Sequence, residues 1–221
     1  MSLLKPLRAR AVELGLFPSN ELISAPSAFA LVRDMPYERA SSRAPEVTIA
    51  EWRGTCSGKH FLLRELFAEL GFPTTLIACT HEFTLENATW APAPLRAILA
   101  EGPIPDVHNF LRLQCYPNTE RADEWMTVDA TWPRAGTPLG LPVNEHFELG
   151  RDHEIACDPI EVFHLPDGED PQVVKERLVE LHVGEQRARR ERFIEALCGW
   201  LAEVAGDSPS PDGAADRGHG T

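Results

Sequence analysis

At 221 residues, 43% of them hydrophobic and 25% charged, the chain can bury a real core as one domain, and its composition is neither fibrous nor wholly disordered. A formal net charge of −13 argues against nucleic acid and anionic membrane as partners, because both repel an acidic surface. No apolar run approaches the ~20 residues of a membrane span, and the five cysteines (56, 79, 115, 157 and 198) are odd in number and hold no CxxC pair. That favours free thiols in a reducing cytoplasm over a disulfide framework.

The first ten residues mix Lys and Arg into apolar positions, which suits an amphipathic helix and lacks the apolar block of a secretory signal. A helix is expected over 4–14, stopped by Gly15, and a second from Ser24 with Pro26 in its first turn. Residues 37–48 read as an exposed connector. The clearest helix spans 56–70, with Leu63, Phe67 and Leu70 in one stripe beside Leu62 and Leu66, and Gly71 and Pro73 to end it. Residues 74–80 read as a buried strand. The segment 81–105, with four prolines, suits an insertion or lid over the sheet, or a plain surface excursion. Alternation predicts a strand over 108–116, a short one over 125–128 and another over 161–165. Asp170-Pro171 opens helical pattern that runs to 204 with a break at Gly184, and 206–221 has the composition of a disordered tail. Helices, then strands, then helices imply an α+β domain.

Trp52-Arg-Gly-Thr-Cys-Ser-Gly-Lys-His60 places Cys56 immediately before the strongest helix. Unsatisfied backbone N–H groups and the positive end of the helix dipole favour a thiolate there. Lys59 adds a positive charge if it points that way, and Gly54 and Gly58 would let a substrate backbone come close. A nucleophilic cysteine needs a base, and the base an orienting partner. In an antiparallel hairpin turning at 117–124, His108 at the start of one strand and Asp129 at the end of the next lie side by side.

Three linked motifs resemble the transglutaminase-like superfamily: Gly54-Thr-Cys-Ser-Gly-Lys59, His108-Asn-Phe110, and Trp125-Met-Thr-Val-Asp-Ala-Thr-Trp132, in that order and spacing. Leu66-Phe-Ala-Glu-Leu-Gly-Phe-Pro73 is similar to the helix end that the family places before its first strand. Phe110 stands where the family often has Trp, and the 81–105 segment and flanking helices resemble no general family feature. The resemblance covers about 52–133. It implies a papain-like core over 51–165, with the Cys helix packed on an antiparallel sheet that carries His and Asp. Helices over 1–50 and 166–205 would pack on that core. It also implies acyl transfer through a thioester by a Cys56, His108, Asp129 triad, acting on a peptide, protein or small amide or thioester substrate without a cofactor. The Cys56 N–H would be one oxyanion donor, and Trp52, Gly54 and Ser57 candidate oxyanion or substrate-binding residues. The alternative is an inactive, binding version of the same fold.

Other readings are weaker. Gly54 to Lys59 is not a phosphate loop, which needs four residues between its glycines and Ser or Thr where His60 stands. Cys56, His60 and His81 do not have standard zinc spacing, so no metal is expected. His146, Asp152 and His153 read as a solvated loop, the Arg run at 187–192 as a solvated helix face, and the other four cysteines as structural.

Overall fold

The structure is a computed structural model that describes residues 2–165 and 168–207. Seven helices surround one four-stranded antiparallel sheet among these residues: α1 (Leu4–Glu13), α2 (Ala25–Arg33), α3 (Pro45–Glu51), α4 (Cys56–Glu69), β1 (Thr74–Phe83), α5 (Ala93–Leu99), β2 (Ile104–Gln114), β3 (Trp125–Val128), β4 (Glu161–His164), α6 (Pro171–Val183) and α7 (Arg187–Asp207). This is an α+β architecture. The sheet order is β3-β2-β1-β4, and every neighbouring pair is antiparallel. Among the described residues no helix is long and apolar enough to cross a membrane.

Local chemistry explains where elements start. Ser24 caps α2 in a reciprocal box with Ser27, and Pro26 lies in the first turn. Asp170 accepts from the Gln172 N–H at the start of α6, and Gly184 ends that helix with a positive φ. Thr55, in contrast, gives α4 no side-chain cap. The first turn of α4 therefore keeps unsatisfied N–H groups beside Cys56.

Alternation along the strands divides the sheet residues between two clusters. Leu76 and Ala78 of β1, Val107, Leu111 and Leu113 of β2, and Met126 and Val128 of β3 join α1, α2, α4 and α6 in the main core. Ile77, Cys79 and Phe110 form a smaller cluster with Ile155 and Cys157. His108 shares the parity of Phe110, and its ring stacks 6.2 Å from it. A third cluster joins Tyr37, Phe83, α5, Trp132 and α7.

Several expectations change in detail. Residues 37–48 are not all connector, since α3 begins at Pro45 and packs on α4. Strand β1 runs three residues past 80, because β2 starts at Ile104 and pairs Phe83 with Ile104. His108 therefore lies inside β2, with only β3's four residues paired on its far side. Within 84–103, Ala88, Ala91, Leu95 and Leu99 join α7 in the third cluster, together with Phe83 and Ile104 at the ends of β1 and β2. Backbone helix continues through Asp207, and the remainder of the expected tail, 208–221, lies outside the described residues.

Helix α4 is central because ten of its residues, Cys56 to Leu63 with Leu66 and Phe67, are buried. Leu63 is fully buried, and deleting a buried Leu side chain costs about 2–5 kcal/mol through lost burial and the cavity left behind. Leu63→Ala is expected to lower unfolding stability in urea by that amount. A loss under about 0.5 kcal/mol, the range of a surface substitution, contradicts the central place of α4.

Candidate active site

Each member of the Cys, His and Asp set is held by a different element. Cys56 is the first residue of α4 and is 7% exposed. His108 pairs across β1 with Cys79, and Asp129 immediately follows β3. His108 Nε2–H donates to Asp129 Oδ2 at 2.7 Å, which leaves Nδ1 as the nitrogen free for the thiol.

Asp129 is 1% exposed, so an ionised carboxylate there requires compensating donors. It has four. Oδ2 accepts from His108 and from the Ala156 N–H at 2.9 Å. Oδ1 accepts from the Thr131 N–H at 2.9 Å and the Thr131 hydroxyl at 2.6 Å. Burial alone would raise this carboxyl, but the charge and hydrogen bond of His108, with His60 and Thr131, hold it well below the usual carboxylate range. His108 responds in the opposite sense. Burial disfavours its imidazolium, yet Asp129 and then Cys56 raise it well above an ordinary histidine.

The Cys56 thiol answers to the same imidazole. Burial would push the thiol up, but Lys175 and then His108 outweigh it and bring the thiol down to about 6. Lys175, from α6, therefore takes the part that sequence reasoning gave to Lys59. The Lys59 ammonium instead donates to the Arg33 carbonyl at 2.8 Å and the Thr131 carbonyl at 3.0 Å. Burial brings it down to about 7.

Two further side chains lock the helix start to the sheet. His60 accepts the Ala130 N–H at Nε2 (2.9 Å) and donates from Nδ1 to the Cys56 carbonyl (2.7 Å). Both ring nitrogens are thus committed in a neutral tautomer, and burial pulls this histidine down to about 4. Ser57 Oγ donates to Asn109 Oδ1 at 2.9 Å, and Asn109 donates to the Ile77 carbonyl at 3.2 Å. The residue beside Cys56 is tied in this way to the residue beside His108.

Cys56, Gly54, Thr55, Ser57 and Gly58 line a cavity of about 310 Å³. Trp52 is outside that lining and packs in the main core with a left-handed backbone, φ 52°. A Cβ at Gly54 would lie 3.3 Å from Thr48 Cγ2, and one at Gly58 would lie 3.2 Å from Thr48 Oγ1. On that side the glycines admit α3, so the close approach they permit is between helices.

The loop histidines and the Arg run also differ from expectation. His146 and Asp152 are exposed, but His153 is 8% exposed, accepts the Asp129 N–H at 3.3 Å and donates to the His146 carbonyl at 3.1 Å. Arg190 is not on a solvated face: it is 7% exposed and bonds Asp106 through Nε at 2.6 Å. Asp106 faces His81 across β1 and β2, with 3.8 Å between Nε2 and Oδ2. Among the described residues no group of three or more His, Cys, Asp or Glu is arranged to hold a metal. All five cysteines are free, with the sulfurs of Cys79 and Cys157 3.8 Å apart.

His60 could have been suspected from its place four residues after Cys56 on the same helix face, and Thr131 from its place inside the quoted motif. Lys175 carries no local signal, because its helix reaches the cavity only by tertiary packing. No protein-family model matches the chain, and no curated protein matches it.

A thiol held near 6 should be half ionised about two and a half pH units below a free cysteine at about 8.5. Alkylation of Cys56 by iodoacetamide, followed by peptide mass spectrometry, is expected to reach half its plateau rate near pH 6. His108→Ala removes a group that lowers the thiol, so the midpoint should move upward. A wild-type midpoint at 8 or above contradicts the ion pair. Separately, His60→Leu orphans the Ala130 N–H that Nε2 accepts, which costs about 1–3 kcal/mol for a buried group. Urea unfolding should show that loss; a neutral substitution would leave His60 no positioning role.

Proposed function

We propose that this chain is a cysteine-dependent amide hydrolase or acyltransferase, built on a transglutaminase-like, papain-like core and working through a thioester acyl-enzyme. The observation that carries this reading is one continuous line of buried groups: the Cys56 thiol brought down to about 6, an imidazole raised by its neighbours, and a four-fold bonded carboxylate behind it. A packing cysteine in an apolar site is raised instead and stays inert, as burial raises Cys198 to about 11.

In the reaction the Cys56 thiolate attacks the acyl carbonyl, forming a C–S bond while the carbonyl π electrons move to oxygen. The uncapped first turn of α4 directs N–H groups to that oxyanion. His108 gives its proton to the leaving amine or thiol as the bond to the leaving group breaks, which yields the thioester. Water or an acceptor amine then attacks, His108 takes its proton, and the thiolate departs. Asp129 keeps Nε2 protonated, so that Nδ1 faces the chemistry throughout. The motifs at 54–59, 108–110 and 125–132 support assigning these steps to the transglutaminase-like class.

Incubation with a panel of small acyl thioesters, followed by intact-protein mass spectrometry, should show one acyl adduct. Peptide mapping should place it on Cys56, and hydroxylamine should release it. Cys56→Ser should abolish the adduct, and His108→Ala should slow acylation by about 10²–10⁴-fold, the usual contribution of a positioned acid–base group. The rate should rise on an acid limb near pH 6, since thiolate forms as pH increases through that value. Unmodified protein across the panel, together with an iodoacetamide midpoint like that of a free thiol, would instead support a non-catalytic binding module.

A further inference from the structure

The cavity beside Cys56 has a charge pattern that acyl transfer alone does not require. Arg39, Arg43, Lys175 and Arg190 line it against a single acid, Asp106, in a chain whose formal net charge is −13. Three of these cations are already paired: Arg39 with Glu191 at 2.6 Å, Arg43 with Glu176 at 2.7 Å, and Arg190 with Asp106 at 2.6 Å. Lys175 differs. It is 2% exposed, no carboxylate among the described residues pairs with it, and its ammonium donates to the Val107 carbonyl. An ammonium has three protons to donate, and the Val107 carbonyl takes one of them.

A second feature borders the same space. Thr48 lines the cavity and is fully buried, and its hydroxyl has no hydrogen-bond partner among the described residues. Buried hydroxyls are normally bonded. The unsatisfied first turn of α4 borders the cavity as well, through Thr55, Cys56, Ser57 and Gly58. The cations and the backbone N–H groups are all donors, and an anion complements them better than a neutral acceptor does.

We propose that this cavity receives a negatively charged group of the acyl donor, a carboxylate or a phosphate, with Lys175 as its principal counter-charge. The proposal rests on Cys56 being the nucleophile, and it narrows the substrate to amides or thioesters that carry an acidic group close to the reacting carbonyl. Burial pulls the Lys175 ammonium down, while Cys56 and Asp106 hold it up. An arriving anion acts in the same direction as those two groups.

The test compares iodoacetate with iodoacetamide on the full chain, with peptide mass spectrometry reading Cys56. In both reactions the thiolate sulfur forms a bond to carbon and iodide leaves, so the reagents differ only in the charge of the remote group. Relative to glutathione treated in parallel, the iodoacetate-to-iodoacetamide rate ratio at Cys56 is expected to be about tenfold higher, equivalent to about 1.4 kcal/mol. Lys175→Met should return the ratio to the glutathione value. Arg43→Gln, at the half-exposed rim, should lower it part of the way and serves if Lys175→Met does not fold. A wild-type ratio equal to that of glutathione overturns the proposal. So does a Lys175→Met protein that slows both reagents equally, because Lys175 then only holds the thiolate.

A second arm does not need a reactive thiol. Thermal unfolding of the Cys56→Ser chain is followed with succinate and with sodium phosphate at constant ionic strength. A saturable rise in Tm with succinate alone identifies a carboxylate site, and with phosphate alone a phosphate site; no rise with either overturns the subsite. If Cys56 is inert to both alkylating reagents while the Tm shift persists, the catalytic reading fails and the anion site stands. Brisk iodoacetamide reaction with no ratio and no shift gives the reverse.

Discussion

An ionised carboxylate buried at 1% exposure is the constraint on which this structure turns. Left alone, Asp129 would take up a proton or destabilise the fold. Its four hydrogen bonds come from a β-strand histidine, a threonine two residues ahead and a backbone amide 27 residues on. Meeting that requirement draws residues 153–156 against the sheet, fixes the His108 tautomer and organises the turn after β3. Its backbone amide and carbonyl are also used, by His153 and Asn144.

Around that anion, positive charge is graded by burial and partner. Lys59 is spent on two carbonyls and loses much of its basicity. Arg190 is committed to Asp106, which lies well below the usual carboxylate range because Arg190 and His81 outweigh burial. His60 is held neutral by its burial, with Nε2 accepting the Ala130 N–H. The positive charge left facing the Cys56 sulfur comes from His108 and Lys175. Several of these groups would be poor choices for stability alone, since a buried ion pair often contributes no more than well-packed apolar residues would. Their concentration around one thiol is what perturbed functional sites look like.

Much of the frame was legible in the sequence because periodicity and punctuation are local. The stripe of Leu63 and Phe67 followed by Gly71 and Pro73 marks α4 within a residue of its observed end. Ser24 and Asp170 mark the starts of α2 and α6 through their caps. Strand limits were less legible. His108 is interior to β2 because the strand continues through Pro105 and Ile104, where it pairs with Glu82 and Phe83 of β1. Prolines there read as loop until a partner strand supplies the context. Residues 84–103 escaped for the same reason, since the surface they cover belongs in part to α7, far along the chain.

What the sequence determined by itself is the set of groups and their order: a cysteine at a helix start, a histidine on a strand, an aspartate just past the next strand. Those positions follow from helix and strand periods and from hairpin geometry, which act over a few residues. Tertiary structure decided how each group is charged. Lys175 faces the thiol while Lys59 turns away, His60 and His153 hold backbone while the His108 imidazole faces the thiol, and Arg190 is buried in a run that otherwise meets solvent. Burial and distance set those differences, and both are properties of packing between segments that no local pattern records.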